Sequence, residues 1–212
     1  MQRYTKKGDV VLDLFFGSGT TGIEALNEER RCIGVELKQD LVDTVSQKFS
    51  AKELVTDMNI ICGDSASDEI KDKIQARLEV MGEEKAQLLI LHPPYDDIIK
   101  FSDKKEDLSN CATTEEFYDL FEKVAENGVE MLEKGRFAAL IIGDSYKNSE
   151  VQPLGFEKVG KEGLVCKLNK SIYGLKQASR QWYLKFDKIV TLNGFKENLV
   201  DQCIYLKVGG SS

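Results

Sequence analysis

Five short apolar segments alternate with longer segments of helical periodicity over the first two-thirds of this 212-residue chain. The apolar segments predict buried strands at residues 10–14, 31–36, 58–62, 87–91 and 137–142. Apolar residues recur at helical spacing between them, which predicts helices over residues 20–29, 39–49, 68–81 and 113–134. Strands that alternate with helices predict a doubly wound α/β fold with a mostly parallel sheet.

A polar or glycine-rich element follows each predicted strand. These elements are Asp13–Gly19, Glu36, Asp64, His92–Tyr95 and Asp144, in chain order. In an open α/β sheet, ligands bind outside the carboxyl ends of the parallel strands. The sequence therefore predicts one shared site built from these strand ends.

The first constellation is the turn Asp13-Leu-Phe-Phe-Gly-Ser-Gly-Thr20, with Gly17 and Gly19 between a strand and a helix. Glycine permits positive φ and close approach of a ligand to the backbone, but the segment lacks the full GxGxxG pattern and is equally compatible with a structural turn. Glu36 is placed to accept both hydroxyls of a ribose. Asp64 is placed to accept a hydrogen bond from an adenine amino group.

Each acidic residue also has a plain structural interpretation. Glu36 fits a solvated strand end, and Gly63-Asp64 fits an Asx turn. Together with the glycine turn, however, they favour a cofactor that contains adenosine. The chain has no GxxxxGK[ST] sequence, which argues against ATP held on a P-loop.

The second constellation is His92-Pro93-Pro94-Tyr95, at the mouth of the predicted cleft. The two prolines lack N–H donors and restrict φ, so the loop would present carbonyl acceptors in a rigid line. An amino group conjugated with a ring is a poor nucleophile. When both of its N–H groups donate to such acceptors, the nitrogen moves towards tetrahedral geometry and its lone pair is freed from the ring. Tyr95 would supply a face on which an extruded base stacks. A proline-terminated strand with a packing tyrosine is the alternative.

Composition limits the remaining classes of function. The chain has no apolar stretch of roughly eighteen residues and no signal peptide, which predicts no membrane association. Its five cysteines are scattered and it has one histidine, so we expect no disulfide framework, no metal site and a reducing intracellular compartment, cytoplasmic for a bacterial-type enzyme.

Several stretches together resemble the amino-directed DNA methyltransferases, which methylate adenine N6 or cytosine N4. The matching stretches are Asp13–Thr21, Gly34–Leu37, Gly63-Asp64, His92–Tyr95, Asp97–Ser102, Asp107–Asn110 and Gly143–Asn148. The resemblance covers about residues 7–156 and implies a Rossmann-like S-adenosylmethionine-dependent methyltransferase fold with DNA as substrate. It leaves oligomeric state open.

The resemblance also implies site residues. The cofactor S-adenosylmethionine would be held by Asp13, Phe15, Gly17, Gly19, Thr20, Glu36 and Asp64. The catalytic loop would be His92, Pro93, Pro94 and Tyr95, which hold the target base. His92 departs from the usual Asp, Asn or Ser, and accepts a hydrogen bond only through a neutral ring nitrogen. This variant leaves adenine and cytosine equally open as targets.

The last third has a different character. Residues 1–150 carry 19 Lys and Arg against 31 Asp and Glu, a net −12, whereas residues 151–212 carry 10 against 5, a net +5. The stretches 165–186, 193–198 and 201–207 closely resemble the reverse transcriptase of copia-type retrotransposons. The resemblance covers about residues 152–208, between the first catalytic aspartate region and the Tyr-Val-Asp-Asp strand, and so implies no polymerase activity.

We therefore predict a methyltransferase core at residues 1–151 and a small α+β fragment without catalytic aspartates at 152–212. The fragment either contacts nucleic acid or packs as a helix over residues 178–192. The contact would use basic and aromatic side chains, namely Lys167, Lys170, Lys176, Arg180 and Lys185 with Tyr173 and Trp182. The strands that normally follow the fifth are expected to be replaced, so the scaffold is predicted to be incomplete. Two functions stay open: a DNA amino-methyltransferase, or an inactive chimeric remnant that at most binds S-adenosylmethionine or nucleic acid.

Overall fold

A computed structural model describes residues 1–50, 57–94, 102–141, 145–147, 150–152, 191–192, 195–197 and 204–207. The strands are β1 (Val10–Asp13), β2 (Arg31–Glu36), β3 (Met58–Cys62), β4 (Ala86–Leu91), β5 (Leu132–Leu140), β6 (Ser145–Lys147), β7 (Glu150–Gln152), β8 (Phe195–Glu197) and β9 (Ile204–Lys207). The helices are α1 (Thr20–Asn27), α2 (Gln39–Ser50), α3 (Glu69–Val80) and α4 (Thr114–Glu130), with a short 3₁₀ helix at Leu108–Asn110.

The central sheet has the strand order β3-β2-β1-β4-β5-β9-β8. Its first five strands are parallel. Strand β1 pairs with β2 on one side and with β4 on the other, so the strand order reverses direction at β1. The predicted fold class is confirmed, and this reversal is where doubly wound sheets bind ligands.

Alternate residues of β1 face two separate apolar cores. Val10 and Leu12 pack into the larger core, which contains the buried residues of α3 and α4. Val11 packs into the smaller core with Ala25 of α1 and Val45 of α2. Because successive side chains of a strand point to opposite faces, one apolar strand can serve both helix layers. Because such a strand is buried on both faces, its sequence is apolar without interruption, and this is the pattern from which the strands were predicted.

The junction between α4 and β5 differs from the prediction. The helix was expected to run to residue 134, but α4 ends at Glu130 and β5 begins at Leu132. Leu132 lies opposite Ala86 of β4 and is buried. Met131 and Leu132 fit the helical spacing, but burial beside β4 outweighs that local pattern. The other four predicted strands are confirmed with shifts of one residue at most.

Two strands from the end of the chain extend the sheet beyond β5. Strand β9 pairs antiparallel with β5, and β8 pairs antiparallel with β9. Strands β6 and β7 form a separate antiparallel hairpin. Of the predicted helix over 178–192, only Thr191 and Leu192 lie within the described residues, and both are helical. Asp144 and the basic and aromatic residues between 167 and 185 lie outside them.

Candidate functional site

A cavity of about 290 Å³ opens at the carboxyl ends of β1, β2, β3 and β4. Its wall combines the loops after these four strands with a segment that precedes α4. The lining residues are Leu14, Phe15, Gly17, Val35, Glu36, Leu37, Lys38, Leu41, Gly63, Asp64, Ser65, His92, Pro93, Pro94, Glu106, Asp107 and Leu108. The predicted meeting of the strand ends at one site therefore holds for the first four strands.

Glu36 joins the end of β2 to the loop after β1. One carboxylate oxygen accepts a hydrogen bond from the Gly17 backbone N–H at 2.9 Å, and the other accepts from the Lys38 N–H at 3.0 Å. The loop is also held by the Phe16 N–H, which donates to the Val35 carbonyl at 3.0 Å. A carboxylate oxygen has two acceptor lone pairs, so each oxygen of Glu36 keeps one for a ligand in the cavity.

Asp13 lies beneath the loop and outside the cavity wall. Its carboxylate is buried and accepts a hydrogen bond from the Phe15 N–H at 2.9 Å. Burial raises the pKa of Asp13, while hydrogen bonds from the Thr21 side chain and the Phe15 backbone oppose the rise. In this arrangement Asp13 shapes the loop that lines the cavity.

Gly19 also faces away from the cavity. A Cβ at Gly19 would lie 2.8 Å from Val45 Cγ1, and a Cβ at Gly34 would lie 2.3 Å from the Phe16 ring. A Cβ at Gly22 would lie 2.8 Å from Phe16 Cζ. Gly22 and Gly34 thus leave space for the Phe16 ring, and Gly19 leaves space for the Val45 side chain. Thr20, exposed at the start of α1, is likewise outside the wall.

Asp64 lines the cavity after β3. Its carboxylate accepts a hydrogen bond from the Ala66 N–H at 2.8 Å, the geometry of an Asx turn. Burial raises the pKa of Asp64, the Ala66 hydrogen bond opposes the rise, and the charge of Glu106 adds to it. Neighbouring Ser65 donates to the Leu14 carbonyl at 2.7 Å, which ties the loop after β3 to the loop after β1.

The loop after β4 contributes His92, Pro93 and Pro94 to the same wall. Pro93 is buried and His92 is exposed. The Leu91 carbonyl just before this loop accepts a hydrogen bond from the Ile141 N–H at 2.8 Å. The charge of His92 also acts on buried Asp13, so the two motifs lie within electrostatic range of each other. Tyr95 lies outside the described residues.

Residues 102–110 form a wall segment that the sequence reasoning did not assign to the site. The Asp107 carboxylate is buried and accepts hydrogen bonds from the Ser109 N–H at 2.9 Å, the Ser109 hydroxyl at 2.7 Å and the Ser102 hydroxyl at 2.7 Å. Lys104 Nζ donates to the Leu37 carbonyl at 2.6 Å. This segment therefore spans from the start of α4 to the end of β2. The stretch Asp107–Asn110, singled out by the resemblance, was the available signal.

Neither metal ligation nor membrane insertion has structural support in the described residues. No group of three or more His, Cys, Asp or Glu side chains there is arranged to hold a metal ion. Among the helices of the same residues, none has the length and apolar character needed to cross a membrane.

Comparison with protein families confirms both resemblances, one near each end of the chain. Residues 1–47 match the family described as DNA methylase, and residues 139–212 match the family described as reverse transcriptase (RNA-dependent DNA polymerase). The first match contains the loop after β1 and Glu36. The second contains β8 and β9 and reaches back to the end of β5.

Two relatives show the same division. The type II methyltransferase M.Cfr9I of Citrobacter freundii is 43% identical over 49 residues, 23% of this chain and 16% of that protein. The Pol polyprotein from transposon TNT 1-94 of Nicotiana tabacum is 55% identical over 56 residues, 26% of this chain and 4% of that protein. The chain thus spans less than a fifth of the length of either relative.

A solved structure matches the fold over nearly the whole chain. It is a Clostridium thermocellum protein assigned as an rRNA methylase, with a TM-score of 0.53 at 12% identity. The match covers 99% of this chain and 92% of that chain. At this identity the likeness shows a shared methyltransferase-type fold.

Proposed function

We propose that this chain, in which a DNA methylase match precedes a reverse transcriptase match, transfers a methyl group from S-adenosylmethionine to an amino group of a DNA base. The base would be adenine, methylated at N6, or cytosine, methylated at N4. The observation that carries the proposal is the single cavity that contains both Glu36 and Asp64 on one side and His92, Pro93 and Pro94 on the other. Both predicted motifs contribute to one wall, as transfer between two bound molecules requires.

The chemistry of the wall fits an adenosine-containing cofactor. Glu36 is fixed by two backbone N–H groups and keeps acceptor capacity for the two ribose hydroxyls. Asp64 would accept from the adenine amino group, and Leu37, Leu41 and Leu108 offer apolar surface for the ring. Gly17 and Phe15 would border the methionine part, while Asp13, Gly19 and Thr20 would act by shaping the loop.

The loop after β4 would prepare the base. Carbonyl oxygens of residues 92–94 would accept hydrogen bonds from the amino group and localise its lone pair on nitrogen. Pro93 is buried and both prolines have restricted φ, so these acceptors are held without reorganisation. When bound, S-adenosylmethionine would supply a methyl group on a positively charged sulfur. The His92 side chain would accept a hydrogen bond from the amino group only through an unprotonated ring nitrogen, and Tyr95 would stack on the base.

The chemical test is transfer of a labelled methyl group to mixed-sequence DNA. We expect incorporation into the amino position of adenine or cytosine, and about 10²-fold or greater loss in Pro94→Ala, because a mispositioned acceptor disrupts the near-attack geometry. Arg3→Ala, at an exposed position outside the cavity wall, is the control. Absence of incorporation at any enzyme concentration would overturn the enzymatic proposal.

The alternative is an inactive chimeric remnant. It is favoured by one observation, the reverse transcriptase match that begins at residue 139, at the end of β5. Isothermal titration with S-adenosylmethionine separates the possibilities. Binding without transfer indicates a remnant with an intact cofactor cleft, and the absence of both indicates a remnant that only folds.

A further inference from the structure

We propose that β8 and β9, which belong to the reverse transcriptase match, close the methyltransferase-type sheet and support the strand pair that carries the His92–Pro94 loop. In this interpretation the segment acts as part of the methyltransferase scaffold and not as a nucleic-acid module. The structural part of the inference is independent of the proposed function, because it concerns pairing within the sheet.

The first support is backbone pairing at β5. Without β9, β5 would be the edge strand of the parallel sheet and would leave a row of unpaired N–H and C=O groups. Strand β9 lies along this edge with Phe137 opposite Leu206, Ala138 opposite Tyr205 and Ala139 opposite Ile204. Strand β8 then covers β9. The chain end therefore moves the sheet edge two strands outward from the site.

The second support is burial of an apolar side chain from the same segment. Phe195 at the start of β8 is 2% exposed and belongs to the larger core. That core also contains Ala138 and Leu140 of β5 and Phe117 of α4. A hairpin that merely lay against the sheet edge would not bury a phenylalanine in the core shared by β5 and α4. The segment thus contributes packing as well as hydrogen bonds.

The third support is the likeness of the whole chain to one fold. The methylase-type structure with a TM-score of 0.53 matches 99% of this chain, including the part that matches the reverse transcriptase family. The match therefore includes β8 and β9, the strands near the chain end that the structure describes.

The pairing reaches the site through two strands. Ala139 lies opposite Ile204 of β9 on one side and Ile90 of β4 on the other. Two residues later, the Ile141 N–H donates to the Leu91 carbonyl, directly before His92. Ordering β5 against β9 therefore restricts the strand end from which the His92–Pro94 loop begins.

The pairing of β5 with β9 can be tested at the Ala138 amide, because the N–H groups of β5 point alternately towards β4 and β9. Because the Ile141 N–H faces β4 and strand residues alternate, the amides of Phe137 and Ala139 also face β4. The amide of Ala138 faces β9. Residue-resolved hydrogen exchange of the unmodified full chain measures all three. We expect the protection factor of the Ala138 amide to lie within about tenfold of the protection factors of the Phe137 and Ala139 amides. Fast exchange at Ala138 with slow exchange at the neighbours, or fast exchange at all three, would overturn the inference.

A cross-link tests the register in the full chain. In a Cys203→Ser background, Ala139→Cys with Ile204→Cys places two thiols at directly opposed positions, where Cβ atoms are about 4.5–5.5 Å apart. The control combines Ala139→Cys with Leu206→Cys, two residues out of register. We expect mild oxidation to yield the 139–204 disulfide peptide in several-fold excess over the 139–206 peptide. Equal yields, or none in either variant, would contradict the pairing.

The functional consequence is measured separately. Tyr205→Pro removes the N–H opposite Ala138, and we expect it to remove protection at Ala138 and to weaken S-adenosylmethionine binding at least several-fold. If protection is lost while binding is unchanged, β9 pairs with β5 but does not support the site, and the second part of the inference is wrong. If the unmodified chain binds no cofactor, the proposed function is wrong, while the amide and cross-link results still decide the pairing.

Discussion

The Glu36 carboxylate accepts a hydrogen bond from the Gly17 backbone N–H at 2.9 Å, so the end of one strand fixes the loop that follows its neighbour. The same carboxylate accepts from the Lys38 N–H, and Glu36 lines the cavity. A residue chosen from the sequence as a ligand for ribose is therefore also a structural part of the glycine turn.

This double role predicts the behaviour of Glu36→Gln. Glutamine replaces one of the two acceptor oxygens with an NH2 group, which would either face a backbone N–H or lose the contact with a ribose hydroxyl. Hydrogen bonds to a charged group contribute about 1.5–3 kcal/mol. We expect S-adenosylmethionine to bind about 10- to 100-fold more weakly by isothermal titration. Glu24→Gln, an exposed glutamate on α1, is the matched control. Equal affinity of the Glu36 variant and the control would show that Glu36 does not contact the cofactor.

Asp107→Ala should destabilise the wall segment before α4. The change removes three hydrogen bonds that the buried Asp107 carboxylate accepts from Ser102 and Ser109. We expect the free energy of unfolding in urea to fall by about 2–4 kcal/mol. The control Asp103→Ala changes an exposed aspartate of the same segment. It should change the free energy of unfolding by no more than about 0.5 kcal/mol. Similar effects of the two changes would argue against a structural role for the Asp107 hydrogen bonds.

Gly34→Ala should be destabilising because its Cβ would overlap the Phe16 ring at 2.3 Å. Overpacking of this kind costs about 1–3 kcal/mol, measured as the free energy of unfolding. Adding Phe16→Leu to the variant removes the ring, so the double variant should lose less than the sum of the single changes. Strict additivity would mean that the two residues do not share the space in solution.

The pH dependence of stability should reflect Asp13. Burial raises its pKa in the folded state above the unfolded value of about 4. The folded protein therefore holds this proton at a higher pH than the unfolded chain does. The resulting stabilisation is present below about pH 4 and is lost as pH rises through the folded-state pKa.

Asp13→Asn removes this titration. We expect the free energy of unfolding of the unmodified protein, relative to the variant, to decrease from about pH 4 upwards. Denaturation series at several pH values measure the difference, and Asp103→Asn is the control at an exposed carboxylate. A difference that stays constant or grows with pH would contradict the raised pKa.

Strands β1, β2 and β4 were predictable because each is an apolar segment buried on both faces. Val10, Val11 and Leu12 all pack into a core, so the pattern of the strand is visible without knowledge of its neighbours. The polar residue after each strand was equally visible, and the cavity contains Glu36, Asp64 and the loop after β4.

The remaining features depend on distant partners. The helical spacing around Met131 gave no sign that Leu132 pairs with Ala86, 46 residues earlier. Gly19 was expected to face a ligand, but its surroundings are the side chains of Val45, Phe49 and Phe16. The pairing of β9 with β5 had no local signal, because a strand of four residues does not encode the edge that it joins.

The position of β9 also sets the order of events when the protein is made. Strand β5 ends at Leu140, and its partner begins 64 residues later at Ile204. A ribosome adds about 5–20 residues per second, so the edge of β5 stays open for several seconds after β5 itself has been synthesised. An open edge during that interval is a site for pairing with another chain. Yield in cells should therefore depend on translation speed through the segment between β5 and β9.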